Sequence, residues 1–455
     1  MISRLIFDSD LRKFPEYLFL FILLSYPLFS FFSWEFLELD TMKALGLVCV
    51  SLVSIKLILI YKSNETLSVP YYLIFFGLFT GYTIICDMFK TQIFEGRELK
   101  YFYSEPIWLT FIALIIVENV SYPHKLMVIA KHVLGFTLVI AAIVSVIQVS
   151  NPLFLINNDV LIDGLPFERI KQYYENATVS DVGSRANLSK VNRFLDGYRL
   201  SIFSYISELS VGIDTVAICS ILISWKPIKV VNTGVAALST TIISFLSSSR
   251  WIMLNCVICI SQIIWSSKNR LLSLFYFFIS LVFLILFSIA VASYMGMDVE
   301  KYFSERLMSD SALTRLLAFE VFFKVFPDNP IFGTGGVDTE KMIRLIGGRS
   351  SQIHVGFLKL LYYYGLFGGT LYLSFMVSLL TRLYKRAKFS GFWGGFYALL
   401  TFFVANLTLV EFSLFYYGPL LAIIFSNHFY RRKKLCEGGE SFGLRESIDN
   451  LSISG

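Results

Sequence analysis

Long apolar runs recur along this chain, each close to the roughly 20 residues a helix needs to cross about 30 Å of hydrocarbon. They fall near Tyr17–Trp34, Ala44–Tyr61, Tyr71–Cys86, Ile107–Tyr122, Val133–Val149, Leu209–Trp225, Val230–Ser247, Trp251–Trp265, Leu271–Tyr294, Tyr364–Tyr384, Phe392–Leu407 and Ser413–Tyr430. Within lipid every backbone N–H and C=O must find its partner inside the protein, so such runs fold as helices. An all-α, polytopic membrane protein with about twelve transmembrane helices is expected. The 56% hydrophobic content lies above that of ordinary soluble domains and agrees with this class.

The basic residues set the orientation. Arg4, Arg12 and Lys13 precede the first run, and Lys62, Lys125, Lys226 with Lys229, Lys268 with Arg270, Arg382 through Lys388 and Arg431 through Lys434 fall in alternate loops. By the positive-inside rule those loops face the cytoplasm, and an even number of spans puts both termini there. The net charge of +6 therefore reflects topology, and no nucleic-acid partner is expected. Tyr17–Trp34 lacks a small-residue cleavage pattern and reads as a first anchor. The membrane domain is expected over residues 1–435, followed by a polar, disordered cytoplasmic tail over residues 436–455. Cys256-x-x-Cys259 has redox or zinc spacing, but it lies in an apolar run without a second ligand pair, so packing is its expected role.

Two long polar segments, residues 151–208 and 295–353, fall on the side opposite the cytoplasm. Segments of this length are too long for simple connectors. In the second, Ser309-Asp310 supplies cap chemistry for a helix that Pro327 ends. Ala312, Leu316, Phe319, Phe323 and Phe326 recur at helical spacing, which predicts an apolar stripe lying along the membrane interface with Arg315 on its flank. A turn at Pro330–Gly333 and a Gly-rich stretch Gly333–Gly336 follow, and the chain returns through Gly347-Gly348-Arg349-Ser350 to His354, placed in the first turn of the next helix.

These residue types can carry chemistry. At a helix start the macrodipole disfavours protonated imidazole, so a neutral His354 suits a general base; a capping or interfacial histidine is the competing reading. Arg250, Arg315 and Arg199 sit at span mouths or at the interface. A guanidinium there matches phosphate oxygens in bidentate geometry, although lipid-headgroup anchoring is the simpler alternative. Arg349 and Glu208 are further candidates for substrate binding, and Glu208 is also placed where a helix N-terminus favours a carboxylate. Asp214, more than a turn into a span, must face a cavity or a partner. His124, His132 and His428 lie toward the cytoplasmic side and read as structural. No Walker loop, His-Glu-x-x-His or Asp-x-Asp pattern is present, so neither a metal nor another cofactor is expected.

The stretch His354-Val-Gly-Phe-Leu-Lys-Leu-Leu-Tyr-Tyr-Tyr-Gly365-Leu-Phe-Gly368 resembles the signature of the O-antigen polymerase and ligase superfamily. Asn329-Pro330-Ile331-Phe332-Gly333-Thr334-Gly335 is similar to the turn of that family, Ser311-x-x-x-Arg315 to its arginine helix, Ser249-Arg250 to its Ser-Arg, and Arg199-Leu-Ser201-Ile-Phe203 to its Arg-x-x-x-Phe. Val355 stands where the family often has Asn, and Ser207-Glu208-Leu209-Ser210 replaces a Ser-Glu-Pro-Ser. The resemblance implies a fold like that of C-type glycosyltransferases, with two large periplasmic loops and a donor linked to undecaprenyl pyrophosphate. It also implies catalytic roles for His354, Arg315 and Arg250, and close helix packing through Gly365, Gly368 and Gly369.

The expectation is an O-antigen polymerase of the bacterial inner membrane, with its active site on the periplasmic face. Undecaprenyl-pyrophosphate-linked oligosaccharide would serve as donor and acceptor, with the bilayer, a flippase and a chain-length regulator as partners. The alternatives are a ligase transferring polymer to lipid A-core, and a transporter or flippase. A flippase would place charge deep in a cavity and keep its external loops short, contrary to the pattern here.

Overall fold

The structure, a computed structural model, describes residues 68–91, 107–150, 210–225, 230–246, 310–334, 355–408 and 417–439, with scattered positions in 14–52, 161–166, 202 and 258–282. The described chain is helical apart from one antiparallel hairpin, Leu161–Ile162 paired with Leu165–Pro166, inside the first long polar segment. The helices are α1 (Tyr71–Thr91), α2 (Ile107–Asn119), α3 (His124–Ser150), α4 (Ser210–Ser224), α5 (Val230–Leu246), α6 (Asp310–Val325), α7 (Gly356–Ser390), α8 (Gly394–Thr408) and α9 (Tyr417–Gly439). Among the described residues, two helices are long and apolar enough to cross a membrane, His124–Gln148 and Gly356–Ser390. Six shorter apolar helices accompany them, one of them Glu16–Ser25 near the start of the chain. The predicted runs at Trp251–Trp265 and Leu271–Tyr294 lie mostly outside the described residues, as does Cys256-x-x-Cys259 with the exception of the helical Ile258 between its cysteines.

Helix ends extend past the apolar windows, because polar residues end a run of hydropathy without ending the hydrogen-bond ladder. α3 thus begins at His124, ahead of the predicted Val133, and α9 continues through Cys436 to Gly439, into the segment expected to be a disordered tail. α6 has the bounds its cap and its proline predict: it starts at Asp310, and a 3-10 turn, Phe326–Asp328, containing Pro327 follows Val325. Its packing differs from the expected stripe. Ala318, Val321, Phe322 and Val325 are buried, whereas Phe319 and Phe323 are exposed. This helix is apolar on both faces, so periodicity alone did not determine which one meets the protein.

α1 and α7 pack side by side and antiparallel. Arg382 lies over the Tyr72 ring at one end, and the Tyr82 hydroxyl reaches the Tyr364 carbonyl at the other. α4 and α9 run parallel from an Asp214–Gly418 contact to a Trp225–Phe429 contact. α8 runs against them, with Phe392 stacked on Phe429 and Phe403 against Phe357. The bundle therefore has a Glu118 end and a Gly365 end. Residues adjoining the basic loops, including Arg382, Arg386, Arg431 and His124, collect at the first, and the turn from the second long polar segment collects at the other.

Candidate functional site

Of the residues singled out by sequence, Arg315 lies on the described backbone, in the second turn of α6. His354, Arg250, Arg199, Arg349 and Glu208 lie outside the described residues. The structure does describe the two segments that bracket the return to His354, Asn329–Thr334 and the start of α7. α7 begins at Gly356 with Val355 as its N-cap, in extended conformation and without a side-chain cap bond. The expectation that His354 occupies the first helical turn concerns a residue outside the described ones.

Nine residues into α7 the helix breaks. Gly365 has φ 65 and ψ −171, a region that essentially only glycine enters. A break inside an apolar helix frees backbone groups that water cannot reach, and they must be satisfied internally. The turn at residues 330–334 does this. Leu366 N–H donates to Pro330 O at 2.8 Å, Phe367 N–H to Ile331 O at 3.1 Å, and Thr334 N–H to Tyr362 O at 2.9 Å. The Thr334 hydroxyl reaches the same Tyr362 carbonyl at 3.2 Å.

The crossing requires glycine on both strands. A Cβ on Gly365 would lie 2.2 Å from Ile331 O, and one on Gly333, itself at φ 64, would lie 2.5 Å from Gly365 N. Gly333 N–H closes the turn on Asn329 O at 2.9 Å. The expected close-packing role holds for Gly368, where a Cβ would meet the Tyr82 ring at 2.8 Å. Gly365 serves differently, as the break itself, and Gly369 makes room for Leu361 of the short half-helix Gly356–Tyr364. This half-helix also carries Lys359, which sequence reasoning passed over. Lys359 is buried with its ammonium 5.1 Å from the centre of the Tyr363 ring; a lysine in an apolar helix one turn beyond His354 was the signal available.

The Glu118 end is held by charge. The buried Glu118 carboxylate accepts from the Tyr72 hydroxyl at 2.9 Å, from Arg386 at 2.7 Å and from Arg382. Arg386 also donates to the Asn427 side-chain oxygen. Asn427 and Arg431 of α9 cap the end of α2, at Val117 O (2.7 Å) and Glu118 O (2.6 Å) and at Val120 O (2.9 Å) just beyond it, where a cation suits the helix dipole. His124 and His428, expected to be structural, stack with ring nitrogens 3.2 Å apart, beside Arg432. Asp214 has the partner its depth demands: its carboxylate accepts the Gly418 N–H at 2.7 Å in the first turn of α9.

No curated protein matches the chain. Residues 234–373 match the family model described as O-antigen ligase. That segment holds Arg250, Arg315, the Gly333 turn, His354 and the Gly365 break, and its match supports the superfamily of O-antigen ligases and polymerases, membrane-associated and glycosyltransferase-like proteins.

Proposed function

We propose that this protein is a multi-pass glycosyltransferase of the bacterial inner membrane that polymerises O-antigen, joining undecaprenyl-pyrophosphate-linked oligosaccharide repeats at the periplasmic face. The observation that carries the reading is the stitched helix break. The turn of the second polar segment supplies the backbone partners of α7 at Gly365, so the half-helix that follows His354 is fixed to the scaffold at one end of the bundle. A preorganised mount of this kind is what positioned catalysis needs.

The protein has about twelve spans with both termini in the cytoplasm, and the division of the bundle into two chemically distinct ends supports that orientation. Basic-loop residues gather at the Glu118 end, and from Leu366, just past the break, to Arg382 the helix rises roughly 24 Å at about 1.5 Å per residue, most of a hydrocarbon thickness. In this reading Arg250 and Arg315 hold the lipid pyrophosphate and stabilise the charge that develops on it as it leaves. His354 orients or deprotonates the acceptor hydroxyl, while Arg199, Arg349 and Glu208 contact the substrate. The donor carries its own activated leaving group, so the transfer proceeds without a metal. A flippase supplies the donor and a chain-length regulator sets the extent of polymer.

A ligase acting on lipid A-core is the second reading, favoured by the description of the matching family. The lipopolysaccharide of a strain lacking the protein separates the two. Loss of a polymerase leaves a one-repeat band on the core and no ladder, which is the expected outcome. Bare core with long polymer retained on the lipid carrier assigns the ligase instead.

A further inference from the structure

Tyr82 lies on α1, well before the segment matched by the family model. Its hydroxyl stands 2.9 Å from Phe332 O and 3.2 Å from Tyr364 O. The first carbonyl belongs to the turn that crosses the break, and the second to the last residue of the half-helix. One phenolic O–H is thus shared between a carbonyl of each piece of the crossing, from a third element. The grip is built rather than incidental. Gly368 leaves the space for the ring, since a Cβ there would approach Tyr82 Cε1 to 2.8 Å, and Phe367 meets the ring edge to face at 5.0 Å.

The backbone bonds of the crossing fix the turn against the second half of α7 through Leu366 and Phe367, and they reach the half-helix at Tyr362. Tyr82 adds the longer branch of its shared bond at Tyr364, next to the break, from a helix outside both segments. We propose that Tyr82 is a positioning residue for glycosyl transfer, fixing the angle of the half-helix Gly356–Tyr364 and with it the place of His354. The proposal rests on the role given to His354 above. It requires no contact between Tyr82 and the substrate, so loss of the hydroxyl alters the chemical step and leaves substrate binding alone.

The test uses full-length protein purified from membranes and, as probe, the lipid-linked repeat unit extracted from a strain lacking the protein. Tyr82→Phe and His354→Gln are each compared with wild type for membrane abundance, kcat, KM and the pH profile of kcat. The expected result is wild-type abundance for Tyr82→Phe, kcat lowered about tenfold to a hundredfold, KM within about twofold, and a displaced pH profile. Four results overturn the proposal. Wild-type kcat for Tyr82→Phe with an inactive His354→Gln refutes positioning while sparing the role of His354. A raised KM at unchanged kcat makes Tyr82 a binding residue. Failure of Tyr82→Phe to accumulate makes the hydroxyl a folding contact. Wild-type activity of His354→Gln removes the histidine role itself and the route through which Tyr82 is argued to act.

Discussion

The two ends of the bundle are closed by different chemistry. At the Gly365 end backbone-to-backbone bonds carry the crossing, joined by the hydroxyls of Thr334 and Tyr82, and two glycines pass with no room for a side chain. At the Glu118 end one carboxylate gathers a tyrosine and two arginines from α1 and α7, while Asn427 and Arg431 of α9 cap α2. Long charged side chains tolerate small shifts in helix position, whereas a backbone crossing admits one register. The rigid closure lies where the proposed site is, and the adaptable one lies where the basic loops gather.

The sharpest way to break this comparison is Gly365→Ala. Its Cβ would meet Ile331 O at 2.2 Å on a backbone held at positive φ. A loss of about 2–6 kcal/mol is expected from strain and overpacking together. Thermal unfolding of purified protein and the yield of monodisperse material measure it, and a variant as stable as wild type would mean that the crossing is not rigid.

Glu118→Gln should cost less, about 2–3 kcal/mol, because glutamine keeps an acceptor and Arg382 retains part of its exposure while the buried Arg386 loses its counter-ion. Arg386→Gln added to Glu118→Gln should restore part of the melting temperature, and a further loss of similar size would show that the arginine is held by something other than this carboxylate. The smallest effect belongs to the pair on the exposed side of α6, where Lys324 holds the Glu320 carboxyl below its usual range across a 2.6 Å contact. Both side chains are solvated, so Glu320→Ala should leave the melting curve unchanged at neutral pH and at moderate salt. A measurable drop would give surface charge a weight that the comparison assigns only to buried charge.

Much of the helical architecture was legible. The apolar runs anticipated α1, α2, α4, α5 and α8, and Asp310 with Pro327 bounded α6. The demand that Asp214 find a partner was also readable, since a carboxylate that deep cannot stand alone. The N-terminus of α9 as that partner was not, because Gly418 lies far away in sequence. Glu118 drew no notice for the same reason: at the end of an apolar run it reads as a boundary residue until Arg382, Arg386 and Tyr72 surround it. The glycines of the 365–369 stretch read as a packing surface, and nothing local marked the first of them as a break.

The sequence by itself determined a helical chain rich in apolar runs, with basic residues clustered at the ends of those runs, and a polar segment that returns through a Gly-rich turn to His354. Hydropathy and charge are properties of each residue and its near neighbours, so periodicity and counting recover them. Only the tertiary structure decided that α7 breaks at Gly365, that Gly333 crosses there, and that the buried face of α6 is Ala318, Val321, Phe322 and Val325 rather than the Phe319 side. Those outcomes depend on which distant backbone supplies the missing hydrogen bonds and which of two apolar faces meets a neighbour, and a single segment carries neither piece of information.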